Sequence, residues 1–225
     1  MAAVGAPVAR PPVQGRTNGR VPPPRPPTGG GDDGDREPRP RRPRLDNVRL
    51  AMLFLMSGEM MFFAGLVSAF LVLRSAAPVW PPPFQPRLPV EMTGVNTVVL
   101  LASSVAMAGA VRSLDRGDVA RFVRRLTAAA GLGATFLFVQ GYEWVRLVHF
   151  GLTMSSGIYG SAFYTLIGAH GAHVLGALAW VGVVLALAGR GRFRDGRTGA
   201  VRACAMYWHF VVALWPVLYV AVYLV

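Results

Sequence analysis

Two acids, Glu59 and Glu143, stand inside stretches that are otherwise apolar, and two histidines, His170 and His173, stand three residues apart in another. A carboxyl at membrane depth is costly unless something nearby accommodates it. Its presence therefore marks a proton relay, a lipid-headgroup contact or a hydrogen bond that docks two helices. For Glu59, two or three residues from the middle of its stretch, the relay and the docking bond stay equally open. Glu143 follows Gln140 by three residues, so the two share a helical face, and it lies nearer one end, which favours docking. His170 and His173 at this spacing point to roughly one face and have the geometry of a pair of metal ligands. A full metal site would need further ligands, and the chain has four histidines in all. Of the other two, His149 falls near a membrane surface and His209 in the first turns of the last apolar stretch. Packing histidines with no bound metal are the expectation. A single cysteine, Cys204, excludes an internal disulfide framework and any CxxC metal site. No P-loop, dinucleotide fingerprint, HExxH or nucleophile elbow occurs, so no catalytic residue is assigned.

The elements that must hold these groups follow from composition. The chain has 225 residues, 53% hydrophobic and 15% charged, with a formal net charge of +12. A globular domain averages about 25% charged residues, and a pI near 11.4 would ordinarily suggest nucleic-acid binding. The charges are too unevenly placed for that. Residues 1–44 hold 11 of the 18 prolines and no aromatic residue. Such a segment buries too little apolar surface to offset its ordering entropy, so a disordered Pro/Arg-rich cytoplasmic tail is expected over 1–48. A five-helix transmembrane domain is expected over 49–225, with spans at about 50–73, 93–113, 126–148, 158–188 and 203–225, each near the roughly 20 residues a bilayer requires. Glu59 does not disqualify the first span. An acid at the helix centre costs about 2.5–3.5 kcal/mol on insertion scales, and the twelve Leu, Phe and Val residues around it return roughly 5 kcal/mol.

Arginine supplies all 23 basic residues, and it clusters. Five arginines lie in 112–125 and five more in 190–202, whereas the alternate side has only Arg74, Arg87 and Arg146. This alternation places the N-terminus inside and the C-terminus outside. Trp80, Trp144, Tyr207 and Trp208 are positioned for aromatic belts. Gly168, Ala172 and Gly176 form a small-residue ladder in the fourth span, and Gly65 with Ala69 a short one in the first; such ladders let helices approach closely.

Taken in order, the motifs resemble subunit III of the haem-copper respiratory oxidases. They read LFLMSGEMMFFAGLVSAFLVLR around Glu59, NTVVLLASSVAM, FVQGYEW, IYGSAFY from Ile158, GAHGAHVLGAL, and YWHFVVALW. The resemblance covers residues 49–225 and implies the short five-helix bacterial form, in the bacterial plasma membrane. It also implies an accessory subunit with no haem or copper of its own, those cofactors belonging to partner subunits. Such a subunit lies directly against subunit I, with subunit II in the same complex, and contacts no nucleic acid. It holds phospholipid in a cleft and supports proton uptake and durability of a proton-pumping cytochrome c or quinol oxidase.

Residue by residue, the resemblance carries the family's buried glutamate onto Glu59. Its recurrent polar positions fall on Gln140 and Glu143, Tyr159 to Ser161, His170 and His173, and Trp208 with His209. Two positions depart from the pattern. Gly58 replaces a usual serine before the glutamate, and Val212 replaces an acid after YWHFV. The second departure also suits the subunit III-like proteins of some nitric oxide reductase systems. A small transporter using Glu59 as its coupling acid would be expected to show internal repeats and broken helices, and the sequence shows neither.

Overall fold

The computed structural model describes residues 47–83, 86, 88–191, 193 and 198–224. All but the last two residues of the expected tail, together with Arg87, Arg192, Arg194 and Arg197 of the loops, lie outside the described residues. Five helices run in chain order: α1 (Asn47–Ala76), α2 (Val90–Asp115), α3 (Val119–His149), α4 (Ile158–Gly189) and α5 (Gly199–Tyr219), the last continuing as a π-helical turn over Val220–Leu224. There is no strand among the described residues. Every helix is long and apolar enough to span a bilayer, and the chain is an all-α multi-pass membrane protein.

The helices outrun the apolar stretches that announce them, and α3 does so most. It begins at Val119 because Asp118 caps it, accepting from the Arg121 amide at 2.8 Å and pairing with the Arg121 guanidinium at 3.3 Å. Its first two turns are therefore arginine-bearing helix ahead of the apolar part. The turn from α2 is only Arg116–Asp118, and Gly117 takes the left-handed conformation (φ 74°) that so tight a reversal requires.

α2 and α3 form an antiparallel pair, α4 packs beside α3, and α5 fills the space between α2 and α4. α1 lies outermost, against α4 and α5, with only Met52, Phe63 and Phe70 buried. α5 is held by polar braces. The Trp208 indole N–H donates to Ser103 Oγ (3.2 Å) and the Trp215 N–H to Thr97 Oγ1 (2.8 Å), both on α2. Each hydroxyl also donates back to its own helix, Ser103 to the Leu100 carbonyl and Thr97 to the Thr93 carbonyl. Donation uses the hydroxyl hydrogen and leaves the oxygen's lone pairs to accept from the indole. Asn96 Nδ2 joins α2 to the Phe136 carbonyl of α3 at 3.0 Å.

Trp208 is thus not a belt residue: it is 1% exposed, in the core. The close helix approaches also fall elsewhere than on the small-residue ladders. A Cβ at Gly65, Gly168 or Gly176 would meet nothing within 4 Å, because Gly65 and Gly176 face outward and Gly168, with Ala172, borders a cavity. A Cβ at Gly133 of α3, by contrast, would run into the Trp208 ring, and one at Gly171 of α4 would lie 3.2 Å from the Trp144 ring.

This contrast is testable by thermal unfolding of the detergent-solubilised protein. Gly133→Ala is expected to destabilise by about 1–3 kcal/mol through overpacking. Gly176→Ala should be neutral or stabilising by up to about 1 kcal/mol, from helix propensity alone. Equal effects at the two sites would contradict the packing described.

Candidate functional site

Glu59 lies near the middle of α1, where its Oε2 approaches His173 Nε2 of α4 to 2.8 Å. The other ring nitrogen, Nδ1, is 2.7 Å from the Ala169 carbonyl oxygen one turn back on α4. A carbonyl oxygen only accepts, so Nδ1 carries a hydrogen and the ring offers Nε2 to Glu59. The Oε2–Nε2 bond then contains one proton, which belongs to either the carboxyl or the imidazole. In both placements the pair has no net charge. That neutrality removes most of the cost of placing an acid at this depth.

The pair is only partly covered, with side-chain exposures of 19% for Glu59 and 24% for His173. It forms the polar floor of a groove of about 480 Å³ lined otherwise by Phe54, Leu55, Gly58 and Phe62. Gly58, where the resemblance expects serine, adds no side chain to this groove, and a Cβ there would meet nothing within 4 Å. Phe63 closes the inner side. Its ring stands edge-on to His173 at 5.1 Å and to His170 at 6.2 Å between centroids.

His170 and His173 therefore lie on neighbouring sides of α4 but serve different partners. The His170 ring is 1% exposed and stacks on Trp215 of α5 at 5.0 Å. Neither of its nitrogens has a hydrogen-bond partner among the described residues. It borders a cavity of about 400 Å³ between α3 and α4, with Phe136, Trp144, Gly168 and Ala172 among the walls, and the Trp144 indole N–H is likewise unpartnered. Among the described residues no three His, Cys, Asp or Glu side chains gather closely enough to hold a metal ion.

The remaining candidates lie at separate levels of the bundle. Gln140 and Glu143 are both buried on α3, as their shared face requires. Gln140 Nε2 donates to the Tyr223 hydroxyl at 3.3 Å, and the π-helical turn after α5 supplies that tyrosine. Among the described residues Glu143 bonds not to another helix but to Arg146 on its own, at 3.1 Å. His209 Nδ1 meets Ser104 Oγ of α2 at 2.5 Å. Val212 is 2% exposed, so the position where the resemblance expects an acid is an apolar part of the core.

Sequence reasoning missed Trp215 and the α2 residues Asn96, Thr97, Ser103 and Ser104. A signal existed on α2: its polar residues fall as two adjacent pairs, 96/97 and 103/104, seven residues apart along an apolar helix, marking one polar stripe.

The sequence pattern of the family described as cytochrome c oxidase subunit III matches residues 44–225. Among similar proteins, a cytochrome c oxidase subunit 3 of Corynebacterium diphtheriae is 36% identical over 186 residues, covering 81% of this chain and 90% of the relative. One of Synechocystis is 36% identical over 174 residues, covering 77% and 73%. One of Sus scrofa is 34% identical over 183 residues, covering 78% and 69%.

The unequal situations of the two histidines predict unequal substitutions. His173→Phe strands the Glu59 carboxyl and should lower stability by about 1–3 kcal/mol. His170→Phe removes two unpartnered nitrogens, keeps the stack on Trp215, and should be neutral or stabilising by about 1 kcal/mol. Thermal unfolding of the two variants in the same detergent decides it, and the reverse order would refute these assignments.

Proposed function

The chain belongs to the cytochrome c oxidase subunit III family, as an accessory subunit of a haem-copper oxidase, and we propose that it serves the catalytic subunit through the face of α1 that carries Glu59. The observation behind this is the neutral Glu59–His173 pair at the floor of an open groove on the least buried helix. Met61 and Phe54 on α1 are 77% and 71% exposed, an apolar surface suited to another membrane helix or to lipid.

In this reading subunit I lies directly against α1, with subunit II in the same complex. The proton shared by Glu59 and His173 is available to groups across the interface. Because either residue can hold it while the pair stays neutral, its transfer requires no net charge to be built up in hydrocarbon. The pair thus supports proton uptake by the oxidase and its durability during turnover. Outward-facing Gly65 and Gly176 admit close approach of a partner helix or lipid. Gln140, Glu143, Trp208 and His209 keep the bundle in shape behind the pair. A phospholipid chain occupies the cavity beside His170, where the glycine and alanine wall leaves room.

The arginine-rich ends face the cytoplasm of a bacterial cell, which puts the start of α1 inside and the end of α5 outside. The names of the relatives favour an oxidase over a nitric oxide reductase as the partner.

Two experiments bear on this. Glu59→Gln should leave the amount of assembled complex unchanged while slowing proton uptake or shortening the number of turnovers before inactivation. Unchanged values of both would reduce Glu59 to a packing residue. For orientation, single-cysteine reporters at Asp118 and Ser155, in a Cys204→Ala background, should react with impermeant reagents from opposite sides, Asp118 only once the cytoplasmic face is opened.

A further inference from the structure

The cavity between α3 and α4, about 400 Å³, has two ends of different character. At its mouth stand Gly168, Ala172 and Leu175, half-buried or exposed, the wall that suits an acyl chain. Its floor is made of Phe136, Ile167, His170 and Trp215, each no more than 1% exposed, with Gln140 at 5%.

The floor is mostly aromatic, yet three polar groups around it are unanswered. Neither His170 nitrogen nor the Trp144 indole N–H has a partner among the described residues. Gln140 gives one N–H to the Tyr223 hydroxyl, and its carboxamide oxygen receives no hydrogen bond among the described residues. An unbonded N–H in hydrocarbon carries the full cost of its lost solvation. An acyl chain has no atom that could relieve it. Trp144 comes from α3 and His170 from α4, so the two nitrogen-bearing rings flank the cavity from its two walls.

We propose that the floor of this cavity binds the ring of an isoprenoid quinone, one ring oxygen accepting from Trp144 Nε1–H and the other bonding to His170. A quinone is flat, like the rings around it, and carries oxygens on opposite edges, as partners on facing helices require. It also reaches the site through the lipid. A neutral imidazole has one N–H and one bare nitrogen, so His170 can donate to a quinone carbonyl or accept from a quinol hydroxyl. Both nitrogen-bearing rings lie just beneath the cavity wall, and binding turns them slightly toward the ligand. The isoprenoid tail leaves past Leu175, beside the acyl chain at the mouth. A lone water bonded to these nitrogens would leave the apolar part of the floor uncovered. The inference does not rest on the role proposed for Glu59 and His173.

Photolabelling of the intact complex with a prenylated azidoquinone, followed by mass spectrometry of its peptides, tests the site. The label should fall within residues 136–144 or 167–175, and excess decylubiquinone should remove it. Trp144→Phe and His170→Phe each keep an aromatic ring and lose its nitrogens. Each should bind decylubiquinone about fivefold more weakly, the effect of one lost hydrogen bond. Trp180→Phe, whose ring packs on Tyr207 outside the cavity, and Glu59→Gln should bind as wild type. Labelling confined to other subunits overturns the proposal, as does unaltered binding in both Trp144→Phe and His170→Phe. Displacement of the label by phosphatidylglycerol as readily as by decylubiquinone would also overturn it, leaving the cavity to acyl chains alone.

Discussion

In hydrocarbon no water is available to a buried N–H, so a polar group that enters the bundle must find its partner within it. The indoles of Trp208 and Trp215 meet this requirement through Ser103 and Thr97, and the position of α5 between α2 and α4 depends on those two bonds. Interhelical hydrogen bonds in membranes average only about 0.6 kcal/mol. Their weight here is geometric, because each fixes a large ring in a space only one ring can fill. Gly133 is part of the same arrangement, since the Trp208 ring lies where a side chain would otherwise stand.

With α5 so placed, the roles of the two histidines on α4 follow. The Trp215 ring lies under His170 and takes it into the core, where stacking replaces hydrogen bonding. His173 is left at the seam with α1, and the carboxyl it meets there belongs to Glu59. One turn of α4 thus carries a histidine that packs on Trp215 and another that meets Glu59 across the seam with α1.

The outer helix is where the chain has least of its own structure to bury. α1 keeps three residues in the core and turns most of its apolar length, together with the Glu59 groove, toward whatever surrounds it. An accessory subunit is expected to have such a face. The arginine-bearing ends make a different kind of surface, with Arg202 tied to Asp115 and Arg49 beside it at a pocket's rim. The two surfaces share α1 but differ in their second helix, α4 at the Glu59 groove and α5 at the arginine rim.

The sequence by itself determined the number of spans, the membrane class, the depth of Glu59 and the shared face of Gln140 and Glu143. Those depend on how many apolar residues lie in a row and on helical spacing, both of which are local. The family was legible too, from six motifs in register. Only the tertiary structure decided that His173 rather than His170 meets Glu59, that Glu143 bonds along its own helix, that Trp208 is core rather than belt, and that the close-packed glycine is Gly133 rather than Gly168. The reason lies in the solvent. Lipid is as apolar as the bundle interior, so a spanning helix such as α4 is hydrophobic all round and its sequence does not say which side faces inward. That choice was left to the polar stripe of α2 and the indoles it receives, and it becomes visible only when the helices are put together.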